Sequence, residues 1–279
     1  MKKYIKYIII SVIILALILF GLNEYMNSHV SVKEYTYENN KIPESFNDYK
    51  IMVISDIHNA PFDEDIVSIA EKNEPDIILF CGDMVQLPDD RTTYVCRIGD
   101  ELGDEYDLYA ISGNHETQNY SYDMIMDDLY EHNINVIENE TVCLEKDGEQ
   151  IILAGLKDLK DDYLTPQQYE KAKKIINSFF ENTNTFSVLL NHRADMYLEI
   201  KDCGADLIIS GHMHGGIIRL PFVGGIIGLG DGLLPDYAYG FFEGNKSSDM
   251  IVSGGCDQNP KKKRVFNPPE VLIITLKSE

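Results

Sequence analysis

The stretch Val53-Ile54-Ser55-Asp56-Ile57-His58 is an apolar, β-type run that ends in an aspartate and a histidine two positions apart. Side chains of an extended chain alternate between two faces, so Asp56 and His58 are expected to project in the same direction. A carboxylate and an imidazole together suit a borderline or hard divalent cation. Such a tripeptide is common by chance, so its meaning depends on partners at the ends of other strands.

Four further strand-like segments also end in polar side chains that can bind metal. The clusters are Asp56 and His58; Asp83; Asn114 and His115; His192; and His212 and His214, and they contain five of the seven histidines. Ligands of open α/β sheets bind beyond the carboxyl ends of the strands, where such side chains converge. Any one of these residues alone could be a core or turn residue. Five clusters together predict a metal site.

The order of the segments predicts the fold class. Apolar strands alternate with helical patterns, such as Asp63–Glu74 and Thr165–Phe180, as far as residue 211, which indicates an α/β fold. The strand Asp76–Cys81 is apolar throughout and suits a sheet that is covered on both faces. A helix is also expected over Ala194–Cys203. From Ile217 onward the pattern changes to Gly-rich hairpins without helices.

Charge and cysteine content exclude several kinds of protein. The net charge is −22; residues 1–30 contribute +2, which leaves −24 for residues 31–279. So acidic a surface repels nucleic acid, and no nucleic-acid partner is expected. The five cysteines are scattered without a CxxC pair, which argues against a disulfide framework and a zinc-thiolate site. We expect them to be small buried hydrophobic residues.

The N-terminus carries an apolar segment, residues 4–22, which follows Lys2 and Lys3. It is either a cleaved signal peptide or an uncleaved signal-anchor, and the absence of an A-x-A-like site favours the anchor. We therefore predict a membrane anchor at 1–27, an edge strand and connector at 28–47, and the main domain at 48–279. Since lysines stay on the cytoplasmic side, we expect a single-pass protein of the cytoplasmic membrane with its domain on the extracytoplasmic side.

The motifs resemble those of one family, in its order along the chain. Asp56-x-His58, Gly82-Asp83, Gly113-Asn114-His115-Glu116, His192 and Gly211-His212-x-His214 are similar to the calcineurin-like metallophosphoesterase superfamily. The resemblance covers about residue 48 to the C-terminus. Two later segments, Arg219-Leu220-Pro221 and Arg264–Glu270, resemble the bacterial branch of membrane-anchored phosphohydrolases and phosphodiesterases.

The resemblance implies a four-layer α/β/β/α sandwich with two divalent metal ions, Mn, Fe or Zn, and a bridging hydroxide that attacks phosphorus. The implied ligands are Asp56, His58 and His214 for the first metal, Asn114, His192 and His212 for the second, and Asp83 between them. His115 is implied to stabilise the transition state or to protonate the leaving oxygen, with Asp83 or another carboxylate needed to keep it protonated. Gln86 departs from the usual aspartate, which puts the hydrogen bonds around the site in question.

We therefore expect a dinuclear phosphoesterase that hydrolyses a phosphodiester or pyrophosphate bond, with a lipid or cell-envelope compound as substrate. The alternatives are a broad phosphomonoesterase or nucleotide phosphatase, and a membrane-anchored metal-binding protein without turnover. No substrate-binding residue can be named from the sequence. The basic run Lys261–Arg264 is either a solvated turn or a contact for anionic lipid headgroups. The Gly-rich, aromatic segment Phe222–Phe242 is a lid or an apolar groove, or else ordinary hairpin packing.

Overall fold

The computed structural model describes residues 2–161, 164–181, 183–220, 224–228, 232–258 and 263–279. The helices described are α1 (Lys2–Met26), α2 (Asp63–Asn73), α3 (Thr93–Leu102), α4 (Asn114–Thr117), α5 (Tyr122–Glu131), α6 (Pro166–Phe180) and α7 (Tyr197–Ile200). The strands described are β1 (Ser31–Asn39), β2 (Lys50–Ile54), β3 (Ile77–Cys81), β4 (Asp107–Ile111), β5 (Ile134–Val136), β6 (Glu140–Lys146), β7 (Glu149–Gly155), β8 (Ser187–Arg193), β9 (Leu207–Gly211), β10 (Arg219–Leu220), β11 (Gly224–Gly225), β12 (Ile227–Gly228), β13 (Gly232–Leu233), β14 (Gly240–Phe242), β15 (Asp249–Val252) and β16 (Glu270–Ser278).

The main strands form two six-stranded sheets. The first has the order β1-β16-β2-β3-β4-β5, and the second β14-β15-β9-β8-β7-β6. Strands β2 to β5 run parallel, as do β15, β9, β8 and β7. Each parallel group therefore directs the carboxyl ends of its strands to one edge, where the sequence places its polar clusters.

An apolar layer lies between the two sheets. It contains Val53 and Leu79 from the first sheet together with Leu190 and Ile209 from the second, all buried. Because successive side chains of a strand point to opposite faces, the intervening residues are left to pack outward. The two sheets are therefore stacked face to face, and each needs a cover on its other side.

Helices cover the two outer faces. Ile54 of β2 packs with Ile66 of α2 and Ile98 of α3 on the outside of the first sheet. Leu189 of β8 packs with Ile176 of α6 on the outside of the second. The expected α/β/β/α sandwich is thus confirmed.

Helix α1 stands apart from these layers. It is long and apolar enough to cross a membrane. Its most apolar 18-residue stretch has a mean hydropathy of 2.7, and none of that stretch is buried. Its 25 residues span about 37 Å at 1.5 Å per residue, which exceeds the ~30 Å hydrocarbon core of a bilayer. The helix suggests a membrane anchor. Strand β1, which follows it, pairs along its whole length with β16.

Several local expectations differ from the structure. The helix expected over Ala194–Cys203 is a 3₁₀ turn, Ala194–Met196, followed by the short α7. Strand β8 continues through His192 to Arg193, with a shift of register at that point. Cys143 lies on the edge strand β6 and is exposed, whereas the other four cysteines are buried as expected.

Candidate metal centre

The candidate site residues come from both sheets and meet at the strand ends. Asp56 and His58 follow β2, Asp83 follows β3, Asn114 and His115 begin α4 after β4, His192 lies in β8, and His212 and His214 follow β9. Three overlapping groups have ligand atoms within 4.8 Å of one another: Asp56, His58 and His214; His58, Asp83 and His115; and Asp83, His192 and His212. The structure therefore brings the predicted carboxylates and imidazoles into one cluster.

One half of the cluster is formed by Asp56, His58 and His214. The Nε2 atoms of the two histidines lie 3.3 Å apart. Oδ1 of Asp56 is 3.5 Å from Nε2 of His214 and 3.9 Å from Nε2 of His58. Burial lowers the pKa of His58 to about 4, although the charge of Asp83 opposes the shift. A neutral His58 leaves a nitrogen lone pair available to a cation.

Asp83 connects this half to the other. Its Oδ2 lies 3.2 Å from Nε2 of His192 and 3.5 Å from Nε2 of His58. The pKa of His192 is raised to about 10 because the negative charge of Asp83 outweighs the effect of burial. The ring of His192 also contacts that of His212, with 5.1 Å between centroids. Burial holds the pKa of His212 well below its usual value.

The side-chain oxygen of Asn114 is a buried acceptor without a partner in the protein part described. Asn114 is only 7 % exposed, and its Oδ1 is buried without a hydrogen-bond partner among the described residues. A buried polar atom of this kind is costly unless something satisfies it. Carboxylate, amide and imidazole donors around one buried space are a set that Mn, Fe and Zn accept. The residues present therefore fit a divalent metal site.

The backbone turns sharply at the ends of the strands. Asp56, His58, Asp83, His212 and His214 all have positive φ, between 48° and 70°. Residues with side chains rarely adopt this left-handed conformation, and such strain concentrates at functional sites. The turns allow the strand ends to approach one another closely. A Cβ on Gly113 would lie 2.2 Å from Oδ1 of Asp83, and one on Gly211 would lie 2.5 Å from Oδ2 of Asp56.

Glu116 holds the backbone around Asp83. Its Oε2 accepts hydrogen bonds from the backbone N–H groups of Asp83 and Gly113 at 2.8 and 2.7 Å, and its Oε1 accepts one from Val85 at 2.9 Å. Burial and the neighbouring charge of Asp83 raise the pKa of Glu116 to about 7. This role was not predicted, although Glu116 belongs to the motif that carries the family resemblance.

The outer nitrogens of two histidines are fixed by acceptors. Nδ1 of His192 donates to the carbonyl of Cys81 at 2.7 Å, and Nδ1 of His214 donates to Oδ1 of Asp257 at 2.9 Å. Such contacts fix the proton of the neutral ring on Nδ1, so that the lone pair of Nε2 faces the cluster and can bind a cation. Asp257 gave no signal in the sequence, because its partner lies 43 positions away and no local pattern connects the two.

His115 is held in a different way. Its Nδ1 accepts the backbone N–H of Leu87 at 3.0 Å and lies 3.2 Å from Nε2 of Gln86, while its ring contacts that of His58 at 4.4 Å. Since an N–H must donate to Nδ1, the neutral ring carries its proton on Nε2. Burial lowers the pKa of His115. Amide donors thus orient the ring, and Gln86 is one of them, while the negative charge of Asp83 opposes the lowering of the pKa.

Only the end of the basic run, Lys263 and Arg264, lies within the described residues, and its two members differ. Arg264 is 5 % exposed, and its Nε donates to Oδ1 of Asp257 at 2.7 Å. Lys263 is exposed and lies 3.0 Å from Oε1 of Glu24 in α1. Lys261 and Lys262 lie outside the described residues, as do positions 222–223 and 229–231 of the segment Phe222–Phe242.

Two stacked sheets with an Asp/His/Asn cluster at their strand ends define a fold and site suited to metal-dependent hydrolysis. The family profile for calcineurin-like phosphoesterases matches residues 49–216, and the chain belongs to this family. The match covers more than half of the chain and includes each of the predicted site residues. The protein is therefore a metallophosphoesterase.

Related proteins agree with this assignment. The chain is 29 % identical over 272 residues to the uncharacterized metallophosphoesterase YkuE of Bacillus subtilis, covering 93 % of this chain and 90 % of that protein. It is 26 % identical over 186 residues to the phosphodiesterase YaeI of Escherichia coli, covering 63 % of this chain and 64 % of that protein. The solved structure of TT1561 from Thermus thermophilus has a TM-score of 0.51 at 12 % identity, covering 75 % of this chain and 90 % of that one, and shows the same fold.

Proposed function

We propose that the protein uses two divalent metal ions to hydrolyse a phosphodiester or pyrophosphate bond in a lipid or cell-envelope substrate. The observation that carries the proposal is the position of Asp83, whose Oδ2 lies 3.2 Å from His192 and 3.5 Å from His58. One carboxylate oxygen between two groups of imidazoles is suited to bridging two ions. The first ion would be held by Asp56, His58 and His214, and the second by Asn114, His192 and His212.

Bound ions would supply Lewis acidity for an in-line displacement by water at phosphorus. The residues of the chain prepare the site for that reaction. Glu116 keeps the turn at Asp83 in place through three backbone N–H groups. His115, whose Nδ1 is occupied by Leu87, offers an Nε2–H group as hydrogen-bond donor to negative charge that develops on the substrate.

The membrane helix supports a substrate at the bilayer surface. A tethered enzyme meets lipid-linked substrates at a high effective concentration. Lys2, Lys3 and Lys6 precede the apolar segment, which favours an orientation with the catalytic domain on the extracytoplasmic side of the cytoplasmic membrane. The net charge of −24 beyond residue 30 disfavours nucleic-acid substrates. A diester preference is also supported by the likeness to a protein named phosphodiesterase.

The proposal is tested on the full chain in detergent, with Mn²⁺ and two chromogenic substrates, a phosphodiester and a phosphomonoester of p-nitrophenol. We expect faster turnover of the diester and none in Asp83→Ala. The matched control is Asp100→Ala, which removes a carboxylate that is 56 % exposed. Preference for the monoester would favour a phosphomonoesterase, and bound metal without turnover of either compound would favour a binding protein. A phosphate-releasing assay on liposomes with and without lipid-linked diphosphates then tests the substrate class.

A further inference from the structure

The carboxyl end of α1 is hydrogen-bonded to the catalytic domain, and two of these bonds converge on one residue, Arg264. The side-chain amides of Asn23 and Asn27 both donate to the carbonyl oxygen of Arg264, at 3.0 and 2.8 Å. Oδ1 of Asn23 accepts the backbone N–H of Phe266 at 2.8 Å. Asn23 lies in the last turn of α1 and Asn27 directly follows the helix, with its backbone N–H bonded to the carbonyl of Asn23 at 3.0 Å, so the two side chains lie on the same side. Asn23 is 8 % exposed, so the end of the helix is docked rather than free.

The side chain of the same Arg264 reaches toward the metal centre. Its guanidinium donates to Oδ1 of Asp257 through Nε at 2.7 Å and also through Nη2, and its Nη1 donates to the carbonyl of Gly254 at 2.7 Å. Both charged residues are buried, with exposures of 5 % for Arg264 and 6 % for Asp257. A guanidinium with several buried acceptors has little rotational freedom. The position of the carboxylate therefore depends on where the backbone of Arg264 is held.

Asp257 in turn sets the orientation of a candidate metal ligand. Its Oδ1 accepts the Nδ1–H of His214 at 2.9 Å, while Nε2 of His214 lies 3.5 Å from Oδ1 of Asp56. Asn267 adds a hold on the backbone, since its Nδ2 donates to the carbonyl of His214 at 2.7 Å. A continuous hydrogen-bonded path thus leads from α1 through Arg264 and Asp257 to His214.

Packing alone does not fix this joint. A cavity of ≈ 380 Å³ lies where α1 meets the domain, and Glu24, Asn27, Asp257 and Arg264 are among the residues that line it. Side chains beside open space can shift when their hydrogen bonds are removed, whereas close-packed ones are held by their neighbours. The two asparagine contacts therefore help to position the Arg264 backbone, together with the hydrogen bonds that the next residue, Val265, makes with Ile217 and Arg219.

We infer that the end of the membrane helix is a positioning element of the metal centre, in which Asn23 and Asn27 hold Arg264 so that Asp257 can orient His214. The inference rests on the proposed metal-dependent function. It gives α1 a second role besides tethering, because loss of its last turn would loosen a ligand at the centre of the cluster. Asn23, Asn27, Arg264 and Asp257 act through His214, and none of them contacts the reacting atoms.

The test compares metal affinity in full-length variants purified in detergent. The probes are Mn²⁺, whose free concentration is followed by electron paramagnetic resonance, and Co²⁺, whose visible absorption reports the ligand set. We expect the double variant Asn23→Ala/Asn27→Ala to bind Mn²⁺ about 10–100-fold more weakly than wild type, because outer partners of metal ligands have effects of this size. We expect the same loss for Asp257→Asn. The visible absorption bands of Co²⁺ bound to the double variant should shift in the same direction as those of Asp257→Asn.

The matched control is Glu24→Gln, which removes an exposed ion pair with Lys263 at the same joint and leaves the carbonyl of Arg264 fully bonded. Its metal affinity and Co²⁺ spectrum should equal those of wild type. A double asparagine variant with wild-type affinity and spectrum would overturn the inference. If the double variant does not fold, Asn23→Ser and Asn27→Ser are measured singly in the same way, and wild-type affinity and spectrum in both would overturn the inference.

Failure of the two proposals can be told apart. A wild-type chain that binds neither Mn²⁺ nor Co²⁺ contradicts the proposed function itself. A wild-type chain that binds metal tightly, beside an equally tight double asparagine variant and a weakened Asp257→Asn, contradicts only the role of α1. Arg264→Lys adds an independent check, since it keeps the backbone carbonyl that receives the helix but cannot make the same contacts with Asp257. Its affinity should fall as in Asp257→Asn.

Discussion

The carboxylate of Asp83 is contacted by candidate site residues at both oxygens. Oδ1 accepts the backbone N–H of His115 at 2.9 Å, and Oδ2 lies between the Nε2 atoms of His192 and His58. The backbone N–H of Asp83 is bonded to Glu116. Asp83 is 1 % exposed. A change of charge at this position therefore acts on both groups of ligands at once.

We expect Asp83→Asn to lower the affinity for Mn²⁺ by more than about 100-fold, beyond the range seen when only an outer partner is removed. The substitution keeps the shape of the side chain and removes its charge. Titration of the full chain with Mn²⁺ measures the effect. Asp100→Asn, at an exposed site, should bind as wild type does. An Asp83→Asn chain with affinity within a factor of two of wild type would contradict the bridging position.

We expect His115→Asn to lower kcat by about 10²–10³ while the affinity for metal stays unchanged, because removing one preorganised hydrogen-bond donor has an effect of this order. Asparagine keeps an acceptor near the N–H of Leu87 and limits the disturbance. Steady-state kinetics and metal titration separate the two effects. The control is His132→Asn, a histidine that pairs with Asp100 near the surface. A parallel loss of metal affinity would instead make His115 a ligand.

The turns that follow the strands are the elements on which the site depends. Five ligand candidates have positive φ. Gly113 and Gly211 lie so close to the carboxylates of Asp83 and Asp56 that a Cβ at either position would clash. The strands lead the chain to the edge where the ligand candidates lie, and the turns set the distances between these side chains. Small changes in backbone shape at these turns should therefore affect the metal centre before they affect the fold.

We expect Gly211→Ala to displace Asp56, since the added Cβ would lie 2.5 Å from its Oδ2. Overpacking of this kind costs about 1–3 kcal/mol of stability. The bound metal per chain, measured by elemental analysis after gel filtration, should drop while the chain still folds. Gly21→Ala is the control, because nothing lies within 4 Å of a Cβ at that position of α1. Full metal occupancy in Gly211→Ala would show that the turn can adapt.

Strand β16 carries a buried acid whose ionisation opposes folding. Burial raises the pKa of Glu270 above its usual value of 4.5, although its carboxylate accepts hydrogen bonds from the backbone N–H of Gly254 at 3.0 Å and from the hydroxyl of Tyr239 at 3.1 Å. Because the folded pKa is the higher one, protonation favours the folded state. That contribution is fully present below the unfolded pKa and is lost as the pH rises through the folded pKa.

We therefore expect Glu270→Gln to gain stability relative to wild type as the pH is raised from about 4 to 8. The glutamine is neutral throughout, so the cost of ionising a buried acid is absent from the variant. Thermal unfolding midpoints of both chains across this range measure the difference, with exposed Glu140→Gln as control. A difference that does not change with pH would contradict the shift at Glu270.

The ends of the strands could be predicted from the sequence because each cluster follows its strand directly. Asp56, Asp83 and His212 needed only the apolar runs before them, and the family resemblance supplied the sandwich and the order of the ligands. The edge strand β6 was not predicted, because its side chains are mostly exposed and give no apolar run. The helix expected over Ala194–Cys203 was too long, because the local pattern of apolar residues does not show where tertiary packing ends a helix.

Residues that support the site from a distance could not be predicted. Asp257 and Arg264 are brought to His214 by the fold, and although Arg264–Glu270 carries a family resemblance, nothing in it shows that Arg264 pairs with Asp257. Arg264 was interpreted as part of a solvated or lipid-binding run, because a basic run alone does not reveal that one member is buried against a carboxylate. The contacts of Asn23 and Asn27 with this loop span more than 230 positions. Such pairings depend on the whole fold rather than on local sequence.

The metal centre joins the two halves of the molecule. Asp56, His58, Asp83 and Asn114 follow strands of the first sheet, whereas His192 lies in β8 of the second sheet and His212 and His214 follow its strand β9. Ligands from both sheets come together only in the folded state, so metal binding and folding are coupled. The centre should therefore stabilise the contact between the sheets as well as prepare the site for reaction.

We expect saturating Mn²⁺ to raise the thermal unfolding midpoint of the full chain and EDTA to reverse the shift. One site filled at 100 times its Kd contributes about 2.7 kcal/mol. Differential scanning fluorimetry in detergent measures the change. Asp83→Asn provides the control and should show little or no shift. Identical midpoints for wild type with Mn²⁺ and with EDTA would contradict a metal site shared by the two sheets.

Strand β16 lies between β1 and β2 and pairs with both, although β1 and β2 come early in the chain and β16 comes last of the strands. During biosynthesis the anchor and β1 emerge long before their partner, and at ~5–20 residues per second the delay amounts to roughly 10–50 s. For that interval the edges of β1 and β2 that pair with β16 lack their partner. Unpaired edges invite aggregation and proteolysis. The first sheet can therefore be completed only when nearly the whole chain has been made, because its second strand in spatial order is the last in sequence.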